Sequence, residues 1–129
     1  MRFDEKAREN IEAAERLLPD ESGDRDALSN AATSRAYYGA YLAVADRAQR
    51  RGHAMTSQDG TWYRHDRLPD DARRWGVLDD DDAEALSWLH GLRVKADYWP
   101  DQVSLEEASA AFDEARRIVT MLLHAGGAP

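Results

Sequence analysis

Ser104-Leu105-Glu106-Glu107-Ala108-Ser109-Ala110-Ala111-Phe112-Asp113-Glu114-Ala115-Arg116-Arg117-Ile118-Val119-Thr120-Met121-Leu122-Leu123 is the stretch that decides the fold. Ala108, Ala111, Phe112, Ala115, Ile118, Val119, Leu122 and Leu123 recur at the spacing that lines one face of a helix. Ser104 and Glu107 match a capping box, in which each side chain satisfies the other residue's backbone N–H. The spacing predicts a long helix that ends near Gly126-Gly127. A helix with one apolar face has to bury it, so the rest of the chain must supply the partners.

It supplies more of the same. Phe3, Ala7, Ile11, Ala14, Leu17 and Leu18 repeat helically between Asp4 and Leu18, with Pro19 as the stop and a turn over Asp20 to Asp24. A second helix is expected from Asp26 to Arg51, closed by Gly52. Tyr38, Tyr41, Leu42 and Ala45 form its apolar stripe, and small residues at Ala31, Ala32, Ser34, Ala36, Gly39 and Ala40 allow a neighbour to approach closely. Gly39 costs up to about 1 kcal/mol within a helix, which close packing would offset. His53 to Tyr63 reads as a loop, longer than most helix connections, a length that marks mobility or function. At its end His65 is expected to face solvent or to make a local hydrogen bond. Leu68-Pro69-Asp70-Asp71 begins a short helix to Trp75, with Gly76 as terminator. Asp79 to Asp82 caps a third long helix, since carboxylates suit the positive end of a helix dipole. A calcium loop would need interleaved ligands and a glycine that are missing. Gly91, within that helix, suggests another close contact. With no convincing strand and no repeat, the expected fold is all-α. It is an antiparallel four-helix up-and-down bundle with one short extra helix, forming a single domain over 1–129.

Composition narrows the function classes. There are no cysteines among 129 residues, so a disulfide framework and a Cys-ligated zinc site are excluded, and a reducing cytoplasm is the expected compartment. No apolar run approaches the roughly 18 residues of a membrane span. The net charge of −8 argues against a general nucleic-acid coat. Between Arg47 and Arg74, however, seven arginines face four aspartates, leaving a local basic region on an acidic body. Its simplest reading is a solvated set of helix ends.

Chemistry concentrates in Leu92-Arg93-Val94-Lys95-Ala96-Asp97-Tyr98. At about 100° per residue, Arg93 and Asp97 share a helix face, with His90 on it and Tyr98 beside it. The plain reading is an Arg–Asp pair one turn apart at a helix end, stopped by Trp99-Pro100. Yet the first half of this helix is core-like and its last turns are polar, which plain packing does not require.

Two motifs in order, Ser34-Arg35-Ala36-Tyr37-Tyr38 and Arg93-x-x-Ala96-Asp97-Tyr98, followed by an Ala-rich last helix, resemble the HEPN domains (higher eukaryotes and prokaryotes nucleotide-binding). The resemblance runs from about Phe3 to Leu123. It implies an up-and-down bundle that forms a two-fold homodimer. It also implies a metal-independent RNA endonuclease, of toxin–antitoxin or antiviral-defence type, that needs no cofactor and no metal ligands. The partners it implies are RNA or a nucleotide and a nucleotidyltransferase antitoxin. Arg93, Asp97, Tyr98 and His90 are the catalytic candidates; Arg35, Tyr38 and Lys95 are the binding candidates. Arg35 is expected to pair with Asp97. Active members carry a histidine four to six residues after the motif arginine. Here none follows Arg93 until His124, and Asp97 and Tyr98 stand in its place. Tyrosine and a paired aspartate have reference pKa values of about 10 and below about 4, far from the neutral optimum for a general base. Two further readings therefore stay open, a catalytically silent HEPN protein that binds RNA, a nucleotide or a nucleotidyltransferase, and a structural dimerisation module.

Overall fold

The computed structural model describes residues 3–18, 25–98 and 103–127. Pro19, the turn over 20–24 and Trp99-Pro100 lie outside them. The described residues form helices α1 (Phe3–Leu17), α2 (Arg25–Arg50), α3 (Leu68–Arg74), α4 (Asp80–Tyr98) and α5 (Leu105–Gly127), and no strand. The expected all-helical bundle with one short extra helix is what the chain forms.

Cross-helix pairs give the directions. Asp4 meets Arg50 at 3.5 Å and Asn10 meets Arg35, so α1 and α2 run antiparallel. Ser34 meets Asp97 and Tyr38 meets Arg93, so α2 and α4 do too. Lys95 meets Glu107 and Asp82 meets Arg117, which sets α5 against α4. The four long helices thus run up, down, up, down, with α3 placed in the long connection between α2 and α4. Helix α2 packs on α1, α4 and α5, and its Ala36, Tyr37, Ala40, Val44 and Ala48 are buried at the centre. Leu86 and Leu89 of α4 and Ala111, Ala115 and Ile118 of α5 complete that core.

Local chemistry sets the ends. Ser104 Oγ accepts the Glu107 N–H at 3.0 Å and Glu107 Oε1 accepts the Ser104 N–H at 3.1 Å, the reciprocal box expected from sequence. Asp79 Oδ1 caps α4 through the Asp82 N–H at 2.8 Å. Gly52 and Gly76 take φ of 81° and 72°, the left-handed conformation that ends α2 and the turn after α3 at no side-chain cost. Gly39 does allow close approach, because a Cβ there would lie 2.8 Å from Ile11 Cδ1 and 3.2 Å from the Ala7 carbonyl. Gly91 does not: it is exposed, and a Cβ would meet nothing within 4 Å. Helix α4 meets α2 instead through His90, Arg93 and Asp97, which contact Tyr37, Tyr38 and Ser34.

The segment between α2 and α3 is pinned. The buried Tyr63 donates its hydroxyl to the His53 carbonyl at 2.6 Å, and its own carbonyl accepts the Tyr41 hydroxyl at 2.7 Å. Ser57 Oγ accepts the N–H groups of Thr61 and Trp62, each at 3.1 Å, closing a tight turn. The Tyr41 bond ties the segment to α2 and the His53 bond closes it on itself, and together they lay residues 62–65 over the α2–α4 seam.

Candidate nucleic-acid site at the seam of two helices and a loop

Helix α2 contributes Ser34, Tyr37, Tyr38 and Tyr41 to the seam, and α4 contributes His90, Arg93, Asp97 and Tyr98. Their spacing by three and four residues puts each set on one face, and antiparallel packing brings the two sets together. The Arg93 side chain is only 15% exposed. Its Nη2 donates to the Tyr38 hydroxyl at 2.9 Å, and its Nε lies 2.9 Å from Asp97 Oδ2. The Nε–H is not aimed at that oxygen, so the Asp97 contact is charge on charge rather than a directed hydrogen bond. Asp97 also accepts the Ser34 hydroxyl at 2.5 Å. The guanidinium carbon sits 5.3 Å from the Tyr38 ring and 5.5 Å from the Tyr98 ring, within cation–π range of both. The Arg–Asp pair read from sequence is present, held from across the seam by two residues of the other motif.

The imidazoles come from two directions. His90 of α4 lies 5.5 Å from the Tyr37 ring, and the ring of His65, from the loop, lies 6.2 Å from that of His90 at an interplanar angle of 13°. His65 stacks on Tyr41 at 4.2 Å and touches the rings of Tyr38 and Trp62. Its Nδ1 lies 2.5 Å from the Tyr37 hydroxyl. His65 therefore sits half-buried at the centre of the aromatic group, neither facing solvent nor bonded locally as expected: its partner Tyr37 lies 28 positions away on α2, brought to it by the packing of the loop on that helix. Burial, then the positive Arg93, push the His65 pKa down to about 4 and hold His90 below its ordinary value. Both rings are neutral at neutral pH. Burial pushes Tyr41 up to about 12 and Tyr37 higher still, so both phenols keep their protons.

Two sequence-derived candidates lie elsewhere. Arg35 is exposed and donates to Asn10 Oδ1 of α1 at 3.4 Å, away from Asp97. The residue that reaches Asp97 is its neighbour Ser34, because a step of about 100° turns Arg35 off the seam. Lys95 pairs with Glu107 at 3.4 Å and ties α4 to the cap of α5. The basic region from Arg47 to Arg74 is largely paired: Arg64 with Asp66, Arg67 and Arg74 with Asp71, and Arg73 with Asp70 and Asp80. That matches a solvated set of helix ends. Among the described residues no cluster of three or more His, Asp or Glu could hold a metal ion, and no helix is long and apolar enough to cross a membrane.

No family model and no curated protein matches this chain. Its chemistry is read from the seam. That face offers a held guanidinium, two neutral imidazoles and, around them, exposed rings in Trp62 (44%) and Tyr98 (69%). The combination suits a phosphodiester flanked by bases: arginine for the phosphate, an imidazole for the proton, aromatic planes for stacking. His65, expected to face solvent or to bond locally, and Trp62 were not among the site residues expected from sequence. The only signal for them was an over-long loop rich in aromatic and histidine residues.

Proposed function

We propose that the chain is a HEPN-like protein that acts on RNA at the Arg93 seam as an endonuclease whose general base is a side chain. The observation that carries this reading is the placement of His90 one turn before Arg93 on α4, close enough for the guanidinium to oppose protonation of the ring. Arg93 is held by Asp97 and Tyr38, and neither ring nitrogen of His90 has a hydrogen-bond partner among the described residues. Neutral His90 takes the proton of the ribose 2′-hydroxyl; the 2′-oxygen forms a bond to phosphorus, and the bond from phosphorus to the 5′-oxygen breaks. The leaving oxygen takes a proton from water, giving a 2′,3′-cyclic phosphate and a 5′-hydroxyl. Arg93 carries the charge that builds on the non-bridging oxygens, a task suited to its fixed fork of donors. His90 replaces, from one turn before Arg93, the histidine that the family pattern puts after it. Cleavage of RNA in buffer containing a chelator, lost in Arg93→Ala and in His90→Ala, is the expected result. Cleavage that survives both substitutions in folded protein removes the assignment.

A second reading, binding of RNA, a nucleotide or a partner nucleotidyltransferase without cleavage, is favoured by the engagement of Arg93, whose charge Asp97 already meets. It predicts RNA or nucleotide binding weakened by Arg93→Ala with no cyclic phosphate formed. The third reading, a structural dimerisation module, predicts neither binding nor cleavage. The bundle is proposed to act as a two-fold homodimer in the cytoplasm.

A further inference from the structure

We propose that His65 is a substrate-contacting hydrogen-bond donor of this site, fixed by Tyr37 in the tautomer that presents Nε2–H. The inference rests on reading the seam as an RNA site and adds a residue supplied by the loop, far in sequence from both motifs.

The argument starts at Tyr37. Its side chain is 1% exposed, and a buried hydroxyl that donates to nothing is costly. Its one partner among the described residues is His65 Nδ1 at 2.5 Å. Tyr37 must therefore donate, and Nδ1 must accept with its lone pair. A neutral imidazole that accepts at Nδ1 carries its proton at Nε2. Nε2 has no partner among the described residues and is not sealed from solvent. The ring plane is set by Tyr41 beneath it at 4.2 Å and by His90 nearly parallel to it at 6.2 Å. A neutral N–H open to solvent is thus left over on a ring that feels the charge of Arg93.

This divides the labour between the two imidazoles. His90, with no partner on either nitrogen, is free to accept a proton. His65 is not: one nitrogen is occupied by Tyr37 and the other already holds a proton. The groups facing His65 agree. They are Tyr37, Tyr38 and Tyr41 from α2, His90 and Arg93 from α4, and Trp62 and Asp66 from its own segment. The cation and the burial oppose a second proton on the ring more than Asp66 favours it, so the donor stays neutral through neutral pH. Tyr37 acts here as a positioning residue, and His65 as a binding one.

Imidazole nitrogen NMR of the full chain, with uridine 3′-monophosphate as probe, tests the assignment. His65 should show a single Nε2–H tautomer, and Tyr37→Phe should release it into a mixture. The probe should move the His65 Nε2–H resonance together with those of His90 and Arg93. His65→Ala should weaken probe binding roughly tenfold, and His65→Gln, which keeps a neutral donor but cannot act as a base, should restore most of it. An Nδ1–H tautomer in the wild type overturns the proposal. So does a probe that moves His90 and Arg93 but leaves His65 still, an outcome that keeps the RNA site and removes only the role of His65. If the probe moves none of the three, the RNA reading fails and this role falls with it. Should His65→Gln bind as poorly as His65→Ala while both keep the wild-type melting temperature, the donor role is wrong.

Discussion

At the scale of the residue, Arg93 decides what the seam can do. Its guanidinium is positioned by Tyr38 and Asp97, and so it is ordered before any ligand arrives. If it stabilises charge in a transition state, Arg93→Ala should lower the rate of RNA cleavage by at least about a hundredfold, near 3 kcal/mol, with the melting temperature changing far less than the rate. Arg93→Lys should recover only part of it, since an ammonium makes a point contact where the fork makes two. Tyr98 separates stacking from proton transfer. Tyr98→Phe keeps the ring under the guanidinium and should keep activity, and Tyr98→Ala should weaken RNA binding by roughly 1 kcal/mol. A large rate loss in Tyr98→Phe would mean that the hydroxyl takes part in the chemistry. His65 shows why single residues in the sequence mislead: nothing local marks it, and most of its environment comes from two other segments, α2 and α4.

At the scale of the element, α2 is the organiser. One face carries Gly39 against α1, and another carries Ser34, Tyr37, Tyr38 and Tyr41 against α4 and the loop. Replacing a helix glycine by alanine ordinarily stabilises, but Gly39→Ala would press a methyl into Ile11 and the Ala7 carbonyl. A loss of about 1–3 kcal/mol in chemical denaturation is the expected outcome, the range of an overpacked core. The loop of residues 53–67 owes its position to two tyrosine hydroxyls rather than to secondary structure. Tyr63→Phe removes the bond to the His53 carbonyl and should cost about 1 kcal/mol. Faster amide exchange confined to this loop, with α1 and α5 unchanged, would mark the bond as a local tie. Uniform acceleration across the chain would instead make it part of the global core.

At the scale of the whole molecule, the two depressed imidazoles couple stability to pH. A histidine whose folded pKa lies below its unfolded value binds fewer protons folded than unfolded, so stability is full above the unfolded value near 6.5 and falls as pH drops toward about 4. After allowance for the partial solvent contact of the ring, the loss from His65 should be about 1–2 kcal/mol. Carboxylates add their own acid sensitivity, so the informative quantity is the difference between the wild type and His65→Gln across that window. The curves should converge as pH falls, with wild type losing more. Parallel curves would show that His65 titrates alike in both states. Assembly is checked at the same scale: light scattering at roughly tens of micromolar should give twice the monomer mass, and a monomer would count against the homodimer.

Helical periodicity, the capping box at Ser104 and Glu107, the carboxylates from Asp79 to Asp82 and the glycines at 52 and 76 were enough, with no tertiary information, to determine five helices, the starts of α4 and α5 and the ends of α2 and α3. Each of those signals acts within a few residues, through spacing, a side chain on a nearby N–H, or a backbone angle. The Arg93–Asp97 pair was legible for the same reason, being one helical turn long. Which residues complete the site was not. Ser34 rather than Arg35 reaches Asp97, and Lys95 turns to Glu107, because a helix face is chosen by what packs on it and the sequence names several candidates per turn. Gly91 faces solvent by the same rule. His65 joins His90 only when Tyr41 and Tyr63 tie the loop onto α2. That step sets contacts between residues 25 positions apart (His65 and His90) and 28 apart (Tyr37 and His65) in the chain, distances over which local spacing carries no information.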